Sequence, residues 1–162
     1  QFIKQKLDSA KWFIDAVNQR QNTLYITMHA IMQYQEEYFI TGDEKKMKPM
    51  ILKDIAEELD LHESTISRVT TQKYMHTVSG VFEFKYFFSS HVSTAGGGEC
   101  SAIAIRSFIK ELIDEESPEK PLSDSKIAAF LNEKGINVAR RTIAKYREGM
   151  SIPSSNQRKR LS

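Results

Sequence analysis

The first 40 residues contain neither glycine nor proline, and their apolar side chains recur three and four residues apart. Because side chains at these intervals share one face of an α-helix, the spacing predicts a helix with one apolar stripe. Gln21 and Gln35 interrupt the stripe, and the polar run at 18–23 is a candidate break. Residues 1–40 could therefore form one helix or two. We expect the stripe to pack in the core and not in a coiled coil, since the chain holds no second copy. Its members are Ile3, Leu7, Ala10, Ile14, Val17, Leu24, Met28, Ile31 and Tyr38.

A helix–turn–helix pattern lies between Pro49 and Met75. Ala56 is the small residue that lets two short helices cross closely. Asp60 occupies the turn, and Asp tolerates a left-handed backbone better than most residues. His62 or Ser64 is expected to cap the second helix. The buried positions should be Ile55, Leu59, Leu61, Ile66 and Val69.

The second helix of this pattern presents small hydroxyl side chains followed by an arginine. Such a helix can approach a major groove closely, and Arg68 can then reach the two acceptors of a guanine. Acidic residues are frequent between 54 and 63, so this unit is expected to bind DNA with lower affinity than a basic helix. Four of the candidates, Ser64, Thr65, Arg68 and Gln72, should share the outward face. The candidate DNA-binding residues are Glu63, Ser64, Thr65, Ser67, Arg68 and Gln72.

A second module with a related pattern is predicted at 100–152. Its first helix starts at Ser101 and is closed by the acidic run before Pro118. Ser123 or Asp124 should cap the next helix, and Gly135 should end it in a left-handed conformation. The turn that follows is longer than in the first module. The residues expected to hold this module together are Ile103, Ile105, Phe108, Ile109, Leu112, Ile113, Ile127, Ala128, Leu131, Ile136 and Val138.

The segment Ala139–Glu148 holds four cations and one carboxylate in ten residues, without glycine or proline. At 100° per residue with Ile143 inward, Arg141, Lys145 and Glu148 face outward. The cations would repel one another unless an anion is nearby, so the helix is a candidate for reading nucleic acid. Ala139, Tyr146 and the stem of Arg147 should face inward, with Arg140 and Thr142 on the flanks.

Roles within this helix follow from position. Arg140 and Arg141 lie at its N-terminal end and can each offer two donors to a guanine, and geometry does not separate them. Thr142, Lys145, Tyr146 and Arg147 are better suited to phosphate contacts that fix the register. The candidate DNA-binding residues are Ala139, Arg140, Arg141, Thr142, Ile143, Ala144, Lys145, Tyr146, Arg147 and Glu148.

The charge is unevenly distributed. The formal net charge is only +2, yet residues 139–162 carry seven Lys/Arg and one acidic residue, which leaves the remainder net negative. A basic block of this kind is often a solvated face or tail, and it is equally typical of nucleic-acid binding. From Met150 onward the chain is expected to fray, with Arg158, Lys159 and Arg160 as an exposed basic tail.

The basic segment, read as ARRTIAKYRE, resembles the RpoN box of bacterial sigma-54 transcription factors, usually written ARRTVAKYRE. Ile143 in place of valine adds one methylene on the buried side. The resemblance covers nearly the whole chain. The run LHESTISRVT at 61–70 is similar to the family's helix–turn–helix, and residues 11–14 and 18–24 are similar to its long helix between the polymerase-binding and DNA-binding parts.

The resemblance implies sequence-specific binding of double-stranded promoter DNA of the −24/−12 type. The RpoN box would read the GG of the upstream element, and the helix–turn–helix would lie at the GC of the downstream element, with Arg68 as its important side chain. Core RNA polymerase would bind through the N-terminal helix and upstream regions. An AAA+ activator ATPase would act on the full-length protein. The chain starts with Gln1, and we expect a fragment that binds promoters without supporting transcription alone.

The predicted fold is all-α, with a long N-terminal helix and two small helix–turn–helix-type modules joined by a flexible linker. The linker prediction rests on the glycine-rich stretch at 89–99, which lacks the Gly-Lys-Ser/Thr of a phosphate loop. The aromatic run Val81–Phe88 is expected to be an extended segment or short turn over the core, because an isolated strand would be marginal. The predicted boundaries are 1–40 for the bridging helix, 41–88 for the helix–turn–helix domain, 89–99 for the linker, 100–152 for the RpoN-box domain and 153–162 for the tail.

No catalytic or metal site is predicted. The four histidines are scattered with no two at helical ligand spacing, and the single cysteine, Cys100, has no partner for a CxxC motif. We therefore expect no enzyme, no cofactor and no metal. One cysteine suits a reducing compartment, and no apolar run is long enough to span a membrane, so a cytoplasmic, nucleoid-associated location is expected.

Two alternatives remain open at this point. One is a dimeric regulator with two helix–turn–helix units, which would bind a palindrome. The other is a helical protein-interaction module, in which the N-terminal stripe docks on a partner and the basic helix binds an acidic surface. Salt-sensitive binding to a protein without base preference would favour the second.

Overall fold

A computed structural model describes residues 1–89, 91–93 and 99–159. Helices dominate the described chain, as predicted, and two short antiparallel strand pairs accompany them. The helices are α1 Phe2–Tyr34, α2 Glu36–Thr41, α3 Leu52–Glu58, α4 Glu63–Thr70, α5 Ala102–Asp114, α6 Asp124–Glu133, α7 Arg140–Gly149 and α8 Ser155–Arg158. The strands are β1 Tyr74–Thr77, β2 Gly80–Glu83, β3 His91–Ser93 and β4 Glu99–Ser101, and short 3-10 helices span Glu44–Lys46 and Phe84–Phe87.

The chain divides into two compact units. The first contains Gln1–Tyr34 and Ile51–Phe87, and the second contains Gln35–Met50 and Phe88–Ser162.

The long helix α1 runs through the polar stretch at 18–23, so the break suggested there is absent. The interruption falls at Gln35 instead, between α1 and α2. Helix α2 ends at Thr41, and its C-cap Gly42 has φ 70° and donates its backbone N–H to the carbonyl of Tyr38 at 2.7 Å. A glycine takes this left-handed conformation without the steric penalty of a Cβ.

The apolar stripe of α1 is only partly a core stripe. Ile31 is fully buried, but Ile3 is 82% exposed, Leu7 53% and Ile14 57%. The prediction of core packing is therefore wrong for the first half of the helix. The reason is that α3 and α4, which contact α1, are short and bury residues only around Thr27–Ile31. Periodicity identifies an apolar face but not the partner that covers it.

The helix–turn–helix of the first unit matches its prediction in its turn and cap, and in part in its burial. Ile55, Ala56 and Ile66 are buried between α3 and α4, whereas Leu59, Leu61 and Val69 are half-buried. Asp60 has φ 51°, the left-handed turn expected of it. His62 is the N-cap of α4, and its Nδ1 accepts the backbone N–H of Ser64 at 3.2 Å.

The first part of the aromatic run after this motif lies in strand β2 of a hairpin, whereas an extended segment or short turn without a strand partner was expected. Strand β2 pairs antiparallel with β1, from Thr77 opposite Gly80 to Tyr74 opposite Glu83. The partner strand was not predicted because the helix–turn–helix pattern, which extends to Met75, includes the first half of β1. Gly80, with φ 130°, allows the tight turn. Phe84 and Phe87 then bury their rings in the first unit, which is the covering role predicted for these aromatics.

In the second unit, the segment before α3 is fixed by specific contacts. The buried amide of Gln35 donates to the carbonyl of Lys48 (2.7 Å) and accepts the backbone N–H of the same residue (2.8 Å). Lys45 donates to the carboxylate of Glu111 on α5 at 2.8 Å. The first contact joins the residue before α2 to the chain before α3, and the second joins that chain to α5.

Helices α5, α6 and α7 enclose that core. Ser101 and Ser123 cap α5 and α6 through their hydroxyls. Gly135 ends the α6 turn with φ 83°, as predicted. The fully or nearly buried residues, which include Ile136 and Val138 of the longer turn, are Ile105, Ile109, Ile127, Ala128, Leu131, Ile136, Val138 and Ile143.

The chain after Met150 does not fray as expected. Residues Ser155–Arg158 form α8, and the side chain of Arg158 binds Glu116 through Nε–Oε1 at 2.7 Å and Nη2–Oε2 at 3.0 Å. Arg158 also donates to the carbonyls of Leu122 and Pro153. The predicted exposed tail is thus wrong for Arg158, because a carboxylate 42 residues earlier pairs with it. Arg160 lies outside the described residues.

Most of the predicted flexible linker lies outside the described residues, at 90 and 94–98. The described parts form the antiparallel pair β3–β4, with His91 opposite Ser101 and Ser93 opposite Glu99.

Candidate nucleic-acid interface

The basic segment forms α7, and the packing of its inner face fixes which side chains remain outside. Ile143 is fully buried against α5 and α6. The turn before α7 is held by Ile136, whose backbone N–H bonds to the carbonyl of Leu131 at 2.8 Å. Asn132 Oδ1 accepts the N–H of Val138 at 3.3 Å. Two hydrogen bonds therefore attach the turn before α7 to the end of α6.

The outer face of α7 is cationic. Arg140, Arg141 and Lys145 are exposed, and no ion pair holds any of them within residues 1–89, 91–93 and 99–159. We call these three residues the cationic face. Glu148 is exposed at the far end of the helix. Three cations without carboxylate partners leave a surface that attracts an anion.

The N-terminus of α7 adds positive electrostatic potential next to the cationic face. Its N-cap, Ala139, has no side chain that could accept a helix N–H, and the first turn carries no acidic residue. Ala139 is exposed, although it was expected to face inward. The free N–H groups and the helix dipole place partial positive charge beside Arg140 and Arg141. A phosphate or a base acceptor would find donors from both backbone and side chains there.

Arg147 lies inside the domain. Its residue is only 4% exposed, and its guanidinium donates to both carboxylate oxygens of Asp124, at 2.8 Å and 3.2 Å. A further bond goes to the carbonyl of Ile152 at 2.7 Å. The hydrogen bonds to Asp124 raise the pKa of Arg147 above its usual value. The stem was expected to face inward, and the head group follows it because a carboxylate at the start of α6 receives it.

Tyr146 and Thr142 lie on one flank of α7 and are half-buried. The Tyr146 ring packs against the core, and Arg106 of α5 lies over it with its guanidinium carbon 5.1 Å from the ring centroid. Arg106 was not among the predicted site residues. The sequence marks Arg106 only as a cation that directly follows the apolar residues 102–105 of a predicted helix.

The second predicted DNA-binding helix, α4, presents a smaller and more mixed face. Glu63, Ser64 and Arg68 are exposed, whereas Thr65 and Ser67 are half-buried. Gln72 falls after the end of α4 in a left-handed turn with φ 52°, where its backbone N–H bonds to Glu83 Oε1 at 2.8 Å. It therefore does not continue the helical face that was expected to include it.

Arg68 lines a cavity of about 800 Å³ between α4 and the middle of α1. Arg20 and Lys73 line it as well, together with apolar side chains such as Val17 and Leu24. Arg20 was missed because it is distant in sequence from the helix–turn–helix face, and Lys73 was missed because it follows the end of α4. Only the packing of α1 beside α4 brings Arg20 to the cavity that Arg68 lines.

Other site types receive no support from the described parts of the chain. No group of three or more His, Cys, Asp or Glu side chains there is placed to hold a metal ion. Burial raises the pKa of the Cys100 thiol, which makes it a poorer nucleophile at neutral pH. None of the helices described is long and apolar enough to cross a membrane.

Comparison with known proteins gives consistent matches. The family described as "Sigma-54, DNA binding domain" matches residues 1–160. The RNA polymerase sigma-54 factor of Shewanella violacea is 61% identical over 161 residues, covering 99% of this chain and 32% of the relative. The factor of Escherichia coli strain K12 is 58% identical, covering 99% and 34%. The chain thus spans about a third of the length of the curated relatives it matches.

A solved structure is also similar. It is described as Aquifex aeolicus sigmaN bound to promoter DNA, with a TM-score of 0.61 and 32% sequence identity, and the match covers 96% of this chain and 46% of that one.

Proposed function

The chain belongs to the sigma-54 factors, as their DNA-binding domain, and from this premise we propose that it binds promoter DNA with α7 as the principal reading helix. A structural relative is described as bound to promoter DNA, which supports this proposal. The observation that carries the proposal is the cationic face, in which Arg140, Arg141 and Lys145 are exposed and lack ion-pair partners within the described chain.

We assign the reading of bases to Arg140 and Arg141. Both lie in the first turn of α7, the end of a recognition helix that usually enters the major groove. A guanidinium can donate to both O6 and N7 of a guanine, and each good pair contributes about 1–3 kcal/mol of discrimination. The GG of the upstream promoter element would supply such acceptors.

Lys145 and Thr142 are better placed for phosphates than for bases. Lys145 lies more than one turn after Arg141, on the same outer side, and Thr142 lies on a flank. Contacts of this kind fix the register of the helix and add affinity for every sequence. Arg147, which was expected to contact phosphate, is proposed instead to position α7 through Asp124, because its donors are already occupied inside the domain.

The helix α4 is proposed to lie at the GC of the downstream element. Arg68 is its exposed arginine, and Ser64 is a small neighbour that permits close approach. Arg20 and Lys73 beside the same cavity would add positive charge next to a helix–turn–helix whose residues 54–63 are rich in acidic side chains. We expect this contact to be weaker than that of α7.

The role in transcription is a proposal that rests on the family, since the chain covers only a third of its relatives. Core RNA polymerase would be engaged through α1 and through further regions of the full-length protein. The exposed apolar residues in the first half of α1 suit a helix that is covered by another protein segment. DNA opening would depend on a separate activator ATPase, and this domain itself would act as a binding module, not as an enzyme.

The proposal is tested by the affinity of this chain for three short duplexes at one fixed salt concentration. One carries both elements, the second has the GG replaced, and the third has the GC replaced. We expect GG replacement to weaken binding at least about tenfold, equivalent to about 1.4 kcal/mol, and GC replacement to weaken it less. Equal affinity for all three duplexes would remove sequence reading from the proposal.

A further inference from the structure

We propose that Arg106 of α5 is an additional DNA-backbone contact that works together with α7, although it lies more than 30 residues before the basic segment. This inference rests on the proposed function of α7 and names a residue outside the helix that the sequence motif identifies. It starts from the placement of Arg106 over Tyr146, with 5.1 Å between the guanidinium carbon and the ring centroid.

Arg106 is the first exposed side chain of α5. The preceding residues, from Ala102 to Ile105, are buried in the core of the second unit. No carboxylate of the described chain forms an ion pair with Arg106, whereas Arg147 and Arg158 in the same unit are both paired. Its charge therefore remains available to an outside anion.

The position of Tyr146 places that charge at the edge of the cationic face. Successive residues of an α-helix are 100° apart, so Tyr146 lies one step around α7 from Lys145. One side of the Tyr146 ring packs on the core. With Arg106 over the ring, the guanidinium extends the positive surface of α7 sideways onto α5.

A DNA major groove offers a phosphate at that place. The groove is about 12 Å wide, and a helix lying in it has a sugar–phosphate backbone along each flank. Bases would face the outer side of α7, and the flank that carries Thr142 and Tyr146 would face one strand. A cation on that flank is suited to a phosphate and not to a base edge.

Stacking on the tyrosine also favours arginine at this site. A guanidinium over an aromatic ring keeps the N–H groups on its rim free to donate to a phosphate. The ring restricts the side chain before DNA binds, so less conformational freedom is lost on binding. A lysine would retain the charge but not the planar stacking.

The experiment uses the 162-residue chain with three substitutions. Arg106→Gln removes the charge, Arg106→Lys retains it, and Lys120→Ala removes an exposed cation beyond the opposite end of α5 as the matched control. Each variant is titrated with the duplex carrying both elements and with the GG-replaced duplex at several salt concentrations. Thermal unfolding confirms that each variant is folded.

We expect Arg106→Gln to weaken binding to both duplexes by the same factor, about fivefold at 0.1 M salt, and to lower the salt slope by about 1. Arg106→Lys should retain the slope, and Lys120→Ala should match the unsubstituted chain. An unchanged slope in Arg106→Gln would overturn the proposal, and so would a loss confined to the GG duplex. Absence of GG discrimination in the unsubstituted chain would instead contradict the proposed role of α7, and the slope would still report on Arg106.

Discussion

At the scale of single residues, Arg147 shows that a basic motif mixes binding and structural cations. Arg141, Lys145 and Arg147 are indistinguishable by charge, and helical geometry predicts only that the stem of Arg147 faces inward. The structure adds Asp124, which receives the guanidinium inside the domain. A buried pair of this kind is weak evidence for added stability, but breaking it is costly because one charge remains unpaired.

This distinction predicts different effects for two similar substitutions. Arg147→Met should destabilise the folded state by about 3 kcal/mol, because Asp124 loses its partner. The salt slope of DNA binding, measured where the variant is folded, should not change. Lys145→Met should leave the stability nearly unchanged and reduce the slope by about 1. Denaturant unfolding and salt-dependent titrations provide the two measurements. A reduced slope in Arg147→Met would show that this arginine does contact phosphate.

Glu116 predicts a pH dependence. Burial alone would raise its pKa, but hydrogen bonds from Arg158 and from the backbone N–H of Leu122 outweigh burial and hold the pKa below its ordinary value of 4.5. A lowered folded-state pKa gives stability that is present above the unfolded-state pKa and is lost as the pH falls through the folded-state value.

The variant Glu116→Gln should therefore be less stable than the unsubstituted chain at neutral pH, and the difference should shrink between about pH 5 and about pH 3. Glu119→Gln, an exposed neighbour, is the control and should show no such difference. Chemical denaturation at a series of pH values provides the comparison. A stability difference that is constant with pH would argue against the ion pair with Arg158.

At the scale of elements, turns and caps were predictable and tertiary partners were not. Asp60, Gly42 and Gly135 take left-handed conformations where local sequence chemistry places them. Helix α8 was missed because the partner that holds Arg158 is 42 residues away. The β1–β2 hairpin was missed because the helix–turn–helix pattern, taken to Met75, includes the first half of β1. Neighbouring residues determine where a helix ends or the chain turns. Ion pairs and strand pairs depend on residues that are distant in sequence, which spacing does not reveal.

Two glycines of the second unit provide a matched test of this conformational argument. Gly135 has φ 83°, whereas Gly149, the last residue of α7, has no positive φ, and an added Cβ would meet no atom within 4 Å at either position. Gly135→Ala should cost about 1–2 kcal/mol because the left-handed backbone disfavours a Cβ. Gly149→Ala should stabilise by up to about 1 kcal/mol. Equal stability of the two variants in urea unfolding would contradict the account of the turn.

At the scale of the whole molecule, the all-α fold and the family were recognisable from sequence, because ten consecutive residues match a family motif and helical periodicity is strong. The exposure of Arg141, Lys145 and Arg68 was predicted from helical spacing. Arg106 and Arg20 were not predicted, since each reaches its site only through packing between helices. The unpartnered first half of α1 was also not predictable, because a stripe does not identify what covers it.

The central claim is that the first turn of α7 reads the GG step, and a cycle of variants and duplexes tests it most directly. Arg140→Ala, Arg141→Ala and Lys145→Ala are each titrated, at one salt concentration, with the GG duplex and the GG-replaced duplex. At least one arginine variant should lose most of the discrimination, whereas Lys145→Ala should weaken both duplexes alike and retain it. Discrimination that persists in both arginine variants would contradict the claim.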